Sequence, residues 1–341
     1  MPNYPPSEAT LSYSGSFQDG IHLTTENPLE EIWSFLALYG SEEYLREKVT
    51  DAKNKDALAD YVAVRIRQAI GLREAAREAT LLTSPLTLYY SVLNVTRACM
   101  AIREEILESK HHGLIFEQDP QILSCGAKVI EGTFSQYLNI AGSAGKKRVQ
   151  ISLLDCLSRI IEISPEYPLV AGDPSYACSV WVEASHSGKT VLHFSPDEVG
   201  GEQHFHACWE LEYPGLIPFC ELESSGGCKL KIKADKEPNS QQDVASLCSQ
   251  ILEVNLIQTV QPKWFIVRQT NPDLAWPRPA YYFAALFILG NIVRYQPELM
   301  YQVTSTHSKW DWFFRRFMVA AERFFPHLMF NWIHKTVYFF G

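Results

Sequence analysis

Apolar residues in this chain recur every three to four positions over residues 27–110 and again beyond about residue 241. They alternate every second position only between about Tyr176 and Ala234. The first spacing lines one face of a helix, and the second lines one face of a strand. A chain so divided is predicted to fold as an α+β protein, predominantly α-helical: a helical bundle carrying an inserted small antiparallel β-sheet. "NPLEEIWSFLALYG" opens the helical part, with Asn27 as N-cap, Pro28 at the first helical position and Gly40 as a stop. Leu58, Val62, Ile66 and Ile70 then fall four apart along one further helix. The segments "YACSVWVEAS", "TVLHFSP", "HFHACWELEY" and "CKLKIKAD" read as strands between Gly, Ser and Pro punctuation. The expected organisation is an irregular N-terminal arm over 1–26, a helical bundle over 27–112, and a mixed region over 113–240 that holds the sheet. An aromatic-rich helical region over 241–341 is expected to pack on the bundle.

Bulk composition narrows the function classes. The net charge is −9 and the pI about 5.6, which argues against a general nucleic-acid binder, because a phosphate-neutralising face usually shows in the total charge. The eight cysteines form no C-x-x-C pair and read as reduced thiols. The N-terminal residues lack the basic and apolar regions of a secretory signal. The most apolar run, Tyr281–Val293, has 13 residues, whereas a membrane span needs about 20. The expectation is a cytoplasmic protein, with no membrane association and no cofactor.

One stretch poses a sharper question. "SPLTLYYSVLNVTRACMAIREEILESKHHGLIF" reads as a single helix from Pro85 to about Lys110, with His111-His112-Gly113 as its stop. On that helix Tyr90, Asn94 and Arg97 share a face at i, i+4 and i+7. A buried polar brace would leave this signature, since an arginine inside a bundle must be paired. So would a site in which arginine and histidine handle a phosphate. The candidate catalytic residues are therefore Arg97, Arg103, His111 and His112. The HEPN ribonuclease superfamily pairs an arginine with a histidine late in a helix. Here Arg103 precedes His111 by seven intervening residues and His112 by eight, a wider spacing than that superfamily uses.

Other stretches carry weaker signals. His204, His206 and Cys208 would share one face of a strand, with His193 on an adjacent strand, and are weak metal-ligand candidates. No phosphate-binding glycine loop, zinc-protease helix or hydrolase elbow is present. Lys146, Lys147 and Arg148 form a small basic loop. Trp312, Phe313, Arg315 and Arg316 interleave aromatic and guanidinium side chains in a terminal segment, Trp310–Gly341, with eight Phe. Such a composition suits a partner interface or a core.

Four blocks in order give a family resemblance: "EEIWSFLALYGSEEYL", then "SPLTLYYSVLNVTRACMAI" followed by "HHGL", then "KVIEGTFSQYLN" leading to "ISLLDCLSRIIEISPEY", and last "AALFILGNIVRYQPELM". From about residue 30 onward the chain resembles the YaaC-like family of bacterial proteins. The resemblance implies a mostly helical bacterial protein without an established activity, so no catalytic residue is carried over. It also implies a genomic context shared with phage-defence components. The expected function is a non-enzymatic or accessory component of a bacterial intracellular complex, acting by protein–protein contact with a partner or a second copy. The alternative is a HEPN-like, metal-independent ribonuclease or RNA-binding protein, with nucleic acid the less favoured ligand.

Overall fold

Side chains start the helices where the sequence places caps. Asn27 accepts from Glu30 N ahead of α1 (Pro28–Leu38), Ser41 caps α2 (Glu42–Lys48), and Asn54 caps α3 (Lys55–Glu78). A computed structural model describes residues 11–12, 21–49, 53–107, 111–143, 148–184, 189–238, 241–254, 256 and 264–340. The helices that follow are α4 (Ser84–Glu104), α5 (Thr133–Ile140), α6 (Leu153–Leu157), α7 (Tyr167–Ala171), α8 (Glu202–Glu212), α9 (Gln241–Ile251), α10 (Arg278–Tyr295), α11 (Pro297–Ser305) and α12 (Lys309–His334). The strands are β1 (Leu11–Ser12), β2 (Ile21–Leu23), β3 (Leu114–Glu117), β4 (Gly126–Val129), β5 (Gln150–Ser152), β6 (Ala177–Ala184), β7 (Thr190–Phe194), β8 (Cys220–Leu222), β9 (Lys229–Ile232), β10 (Glu253–Val254), β11 (Trp264–Val267) and β12 (Tyr338–Phe340). The fold is mostly helical, as expected. Most of the expected arm, residues 1–10 and 13–20, lies outside the described residues.

The chain divides into two compact units, with cuts at 20/21, 170/171 and 270/271. One unit comprises residues 21–170 and 271–341, the other residues 1–20 and 171–270. In the helical unit α3, α10 and α12 all pack on α4. Helix α10 is buried almost all round, from Ala280 to Leu289, so its apolar run is a core helix. Gly290 keeps α10 close to α4: a Cβ there would stand 3.3 Å from Leu86 Cα. Helix α12 contains Pro326, which has no N–H to give the carbonyl of Glu322 one turn back. The indole of Trp33 on α1 donates to that carbonyl instead, at 3.0 Å. Beside it the buried Arg73 on α3 donates to Glu30 on α1 and Glu322 on α12, at 2.6 and 2.7 Å.

On α12, His327 is buried and its Nε2–H donates to Tyr338 O at 2.7 Å. This holds β12, which pairs in parallel with β2. Burial lowers the imidazole pKa to about 4, below its unfolded value of about 6.5. The neutral ring is the native form, so this contribution is present above pH 6.5 and lost as pH falls toward 4. Chemical denaturation at stepped pH is expected to show that loss, and His327→Gln to remove most of its pH dependence.

The second unit is built on a seven-stranded antiparallel sheet, order β10–β11–β6–β7–β9–β8, with β1 also on β6. It is wider than the sequence suggested, because β1, β10 and β11 extend it. Its buried face carries Cys178, Val180, Val182, Leu192 and Phe194, covered by Phe205, Trp209 and Cys248. One expected strand is a helix: "HFHACWELEY" forms most of α8, which follows Gly200 and Gly201, both at positive φ.

Candidate functional site

The polar stripe on α4 assembles with residues from two other places. Asn94 is buried; its amide donates to Tyr90 O one turn back and its Oδ1 accepts from Arg65 on α3 at 2.9 Å. Arg97 Nε donates to Thr133 Oγ1 at 3.2 Å, and that hydroxyl donates to His111 O. His112 Nδ1 meets the hydroxyl of Tyr89 at 2.7 Å, with the Tyr90 ring edge-on at 6.0 Å. Tyr90, Arg97, Arg65 and His112 are half-buried, whereas His111 is exposed.

The helix does not end at His111-His112-Gly113. Glu105, eight residues before Gly113, takes the left-handed conformation at φ 53° and closes α4 through its N–H to Ala101 O. Lys110, the expected last residue, lies outside the described residues. Gly113 has a different task. It crosses Gly132 so closely that a Cβ on Gly132 would stand 2.6 Å from Gly113 N, and one on Gly113 would stand 2.7 Å from Phe134 N. Thr133 N and Phe134 N donate to the carbonyls of His111 and His112. This crossing holds the 111–113 segment against α5 and sets His112 on Tyr89.

Both Arg97 and His112 have pKa values lowered from their usual range. Burial first, and then the charge of Arg65, holds the Arg97 guanidinium below the usual arginine range. Burial pushes the His112 pKa down, and Arg97, His111 and Arg294 push it further. His112 is therefore neutral at pH 7. Arg103 lies elsewhere: it stacks over Trp332 and donates to that residue's carbonyl at 2.7 Å. Of the candidate catalytic residues, the fold brings Arg97 and His112 together and leaves Arg103 apart. Arg65 was not among the candidates, because only the α3–α4 packing reveals it.

The remaining candidates scatter. His204, His206 and Cys208 sit on a helix, where spacings of two residues point in different directions. His204 meets Glu212 at 3.2 Å and His206 donates to Gly227 O at 2.9 Å. Among the described residues no group of three His, Cys, Asp or Glu is placed to hold a metal ion. Lys146 and Lys147 lie outside the described residues; Arg148 sits at φ 77° beside β4, with its N–H on Val129 O.

On α12 the aromatic stripe is mainly core. Phe313 is 0% exposed, as are Phe314 and Phe317. The opposite face leaves Trp312 43% and Val319 53% exposed, two turns apart on one side of the helix. Between them Arg315 binds Asp311, while Arg316 binds Glu166 at 2.8 Å. Arg315, Met318 and Val319 border a cavity of about 330 Å³ whose other walls include Leu81 and Leu88, with Arg73, Arg77 and Glu322 at its polar side.

Comparison with curated proteins and with solved structures gave no match. The family model for YaaC-like proteins runs over residues 31–333, which takes in most of α1, the polar stripe of α4, the Gly113–Gly132 crossing and nearly all of α12. The chain belongs to the YaaC-like protein family.

Proposed function

We propose that this YaaC-like protein is a non-enzymatic, accessory component of a bacterial complex and docks a partner chain on the outward face of α12. One observation carries the reading: the face opposite the phenylalanine core exposes Trp312, Arg315 and Val319 beside a cavity with apolar walls. Trp, Arg and Met are the residue types that dominate protein interfaces, and a central pocket is where their anchors bind. The occupant is a partner segment that places an apolar side chain against Leu81, Leu88 and Met318. Its acidic neighbour meets the half-exposed guanidinium groups of Arg77 and Arg315.

The test is native-level purification of the tagged chain from its own bacterium. Trp312→Glu and Val319→Glu are expected to lose a stoichiometric companion that wild type and Leu211→Glu retain, Leu211 being 78% exposed in the other unit. Melting temperatures should stay within a few degrees, because exposed substitutions change stability by roughly 0.5 kcal/mol. A companion retained by both α12 variants would refute the docking face.

A second reading rests on the meeting of Arg97 and His112, the pair a HEPN-like, metal-independent ribonuclease would need. Purified chain incubated with total RNA is expected to leave it intact. Cleavage that disappears in His112→Ala would displace the docking reading.

A further inference from the structure

The outward face of α12 carries its charges in a regular order. Lys309, Trp312, Arg316, Val319 and Arg323 follow one another at steps of three and four residues, the spacing that keeps side chains on one line along a helix. The first four are exposed and Arg323 is half-buried. Cationic groups thus recur every seventh residue with an apolar side chain between them, over about 21 Å of helix. Residues 162–169 flank one side of this line, where Lys309 donates to Leu169 O at 3.2 Å and Arg316 to Glu166 at 2.8 Å. The cavity bordered by Arg315, Met318 and Val319 flanks the other.

Arg323 is the cation without a counter-charge. Among the described residues it makes no hydrogen bond or ion pair, and its Nε is buried. Its guanidinium lies over the Phe324 ring at 4.9 Å. The field of Glu162 reaches it, but that carboxylate is already bound by Arg278 and Tyr282. A half-buried guanidinium so placed costs desolvation energy that a carboxylate from outside would offset. At the other end of the line Lys309 has only a backbone carbonyl.

These charges select among occupants. Two copies of α12 related by a two-fold axis would set Arg316 against Arg316 and Lys309 against Arg323, so that like charges face each other. A nucleic-acid strand would meet the cations but brings no aliphatic side chain to Leu81, Leu88 and Met318, and the net charge of −9 opposes it. A second helix laid alongside α12 repeats its own side chains at the same rise, so carboxylates seven residues apart fall opposite cations seven residues apart.

We propose that the occupant of α12 is a different protein, presented as an acidic amphipathic helix with Asp or Glu at positions seven residues apart and an apolar residue between them. Its carboxylates meet Arg323 and Lys309, and its apolar side chain packs between Trp312 and Val319. The inference rests on the docking reading and adds the chemistry of the partner.

The experiment carries a photoreactive phenylalanine at Val319 of the full chain in the native bacterium, with mass spectrometry of the cross-linked segment. That segment is expected to belong to another protein and to hold carboxylates seven residues apart around an apolar residue. Arg323→Gln should lower the adduct yield roughly tenfold, the loss of a charge-assisted contact. Arg323→Lys should lower it less, since the charge stays while the planar fork is lost. Lys309→Glu should lower it by a smaller factor than Arg323→Gln, because an exposed charge contributes less. Arg46→Gln is the control with unchanged yield, its guanidinium lying on Asp56 and Asp60. Circular dichroism melts check that the variants are folded; if Arg323→Gln fails that check, Lys309→Glu on the exposed first turn carries the charge test. No adduct from the otherwise unaltered chain would end both the docking reading and this one. Four results would overturn the acidic helix while leaving the docking face in place. They are a yield unchanged in both Arg323→Gln and Lys309→Glu, a linked segment without carboxylates, a segment from a second copy, and an adduct removed by ribonuclease.

Discussion

Arg278→Ala is expected to destabilise the helical unit by about 3–5 kcal/mol, the usual cost of stranding one member of a buried ion pair. Glu162 sits inside the core between α6 and α7, and its carboxylate accepts from Arg278 on α10 and from the Tyr282 hydroxyl at 2.6 Å. With Arg278 gone, one hydroxyl would be left to solvate a buried carboxylate. Urea denaturation followed by far-ultraviolet circular dichroism measures the loss. Tyr282→Phe should cost less, about 1–2 kcal/mol, because it removes one hydrogen bond and leaves the charges paired. A loss below about 1 kcal/mol for Arg278→Ala would show that Glu162 is not held as a buried anion.

The second large effect is expected at the glycine crossing. Gly132→Ala places a side chain where φ is +148° and where the new Cβ would meet backbone atoms of Gly113 and His111 at 2.6–2.8 Å. Such backbone is essentially reserved for glycine, at about 1–3 kcal/mol, and the clash adds to it. A total near 3 kcal/mol follows, together with displacement of His112 from Tyr89. Gly142→Ala is the control, since its φ is also positive but nothing stands within 4 Å. It should show the conformational cost without the clash. Equal losses for the two variants would remove the crossing from the account.

That crossing also marks a limit on what was legible in the sequence. A glycine after a long helical pattern reads as a helix stop, and Gly113 does have the positive φ of a stop. The residue that ends α4 is Glu105, a type that rarely takes the left-handed conformation. Gly113 is spent on a contact with Gly132, which local patterning does not register. The strand misread has a different cause. In "HFHACWELEY" the apolar residues fall on every second position, but Phe205, Trp209 and Tyr213 are also four apart, which a helix can use equally well. The helix won, leaving Ala207 and Leu211 facing solvent.

Caps and core periodicity were readable because they depend on residues within one or two turns. Asn27, Ser41 and Asn54 cap as their types require. The face of α4 that bears Asn94 and Arg97 was readable for the same reason, but their partners Arg65 and Thr133 come from distant segments. On α12 a run of alternating aromatics and arginines did not tell Phe313, wholly buried, from Trp312, nearly half exposed. Only packing against the rest of the unit separates the two faces. The bond from the Trp33 indole to the carbonyl freed by Pro326 lay equally out of reach, although an interior proline does signal that some donor must replace its missing N–H.

Site-specific photo-cross-linking tests the docking claim most directly. A photoreactive phenylalanine at Val319, introduced in the native bacterium, is expected to yield one discrete adduct heavier than the chain itself. The same probe at Leu211 should yield none, and adding Trp312→Glu should abolish the Val319 adduct. An adduct from Val319 that persists with Trp312→Glu, or no adduct from Val319, would contradict a partner seated on α12.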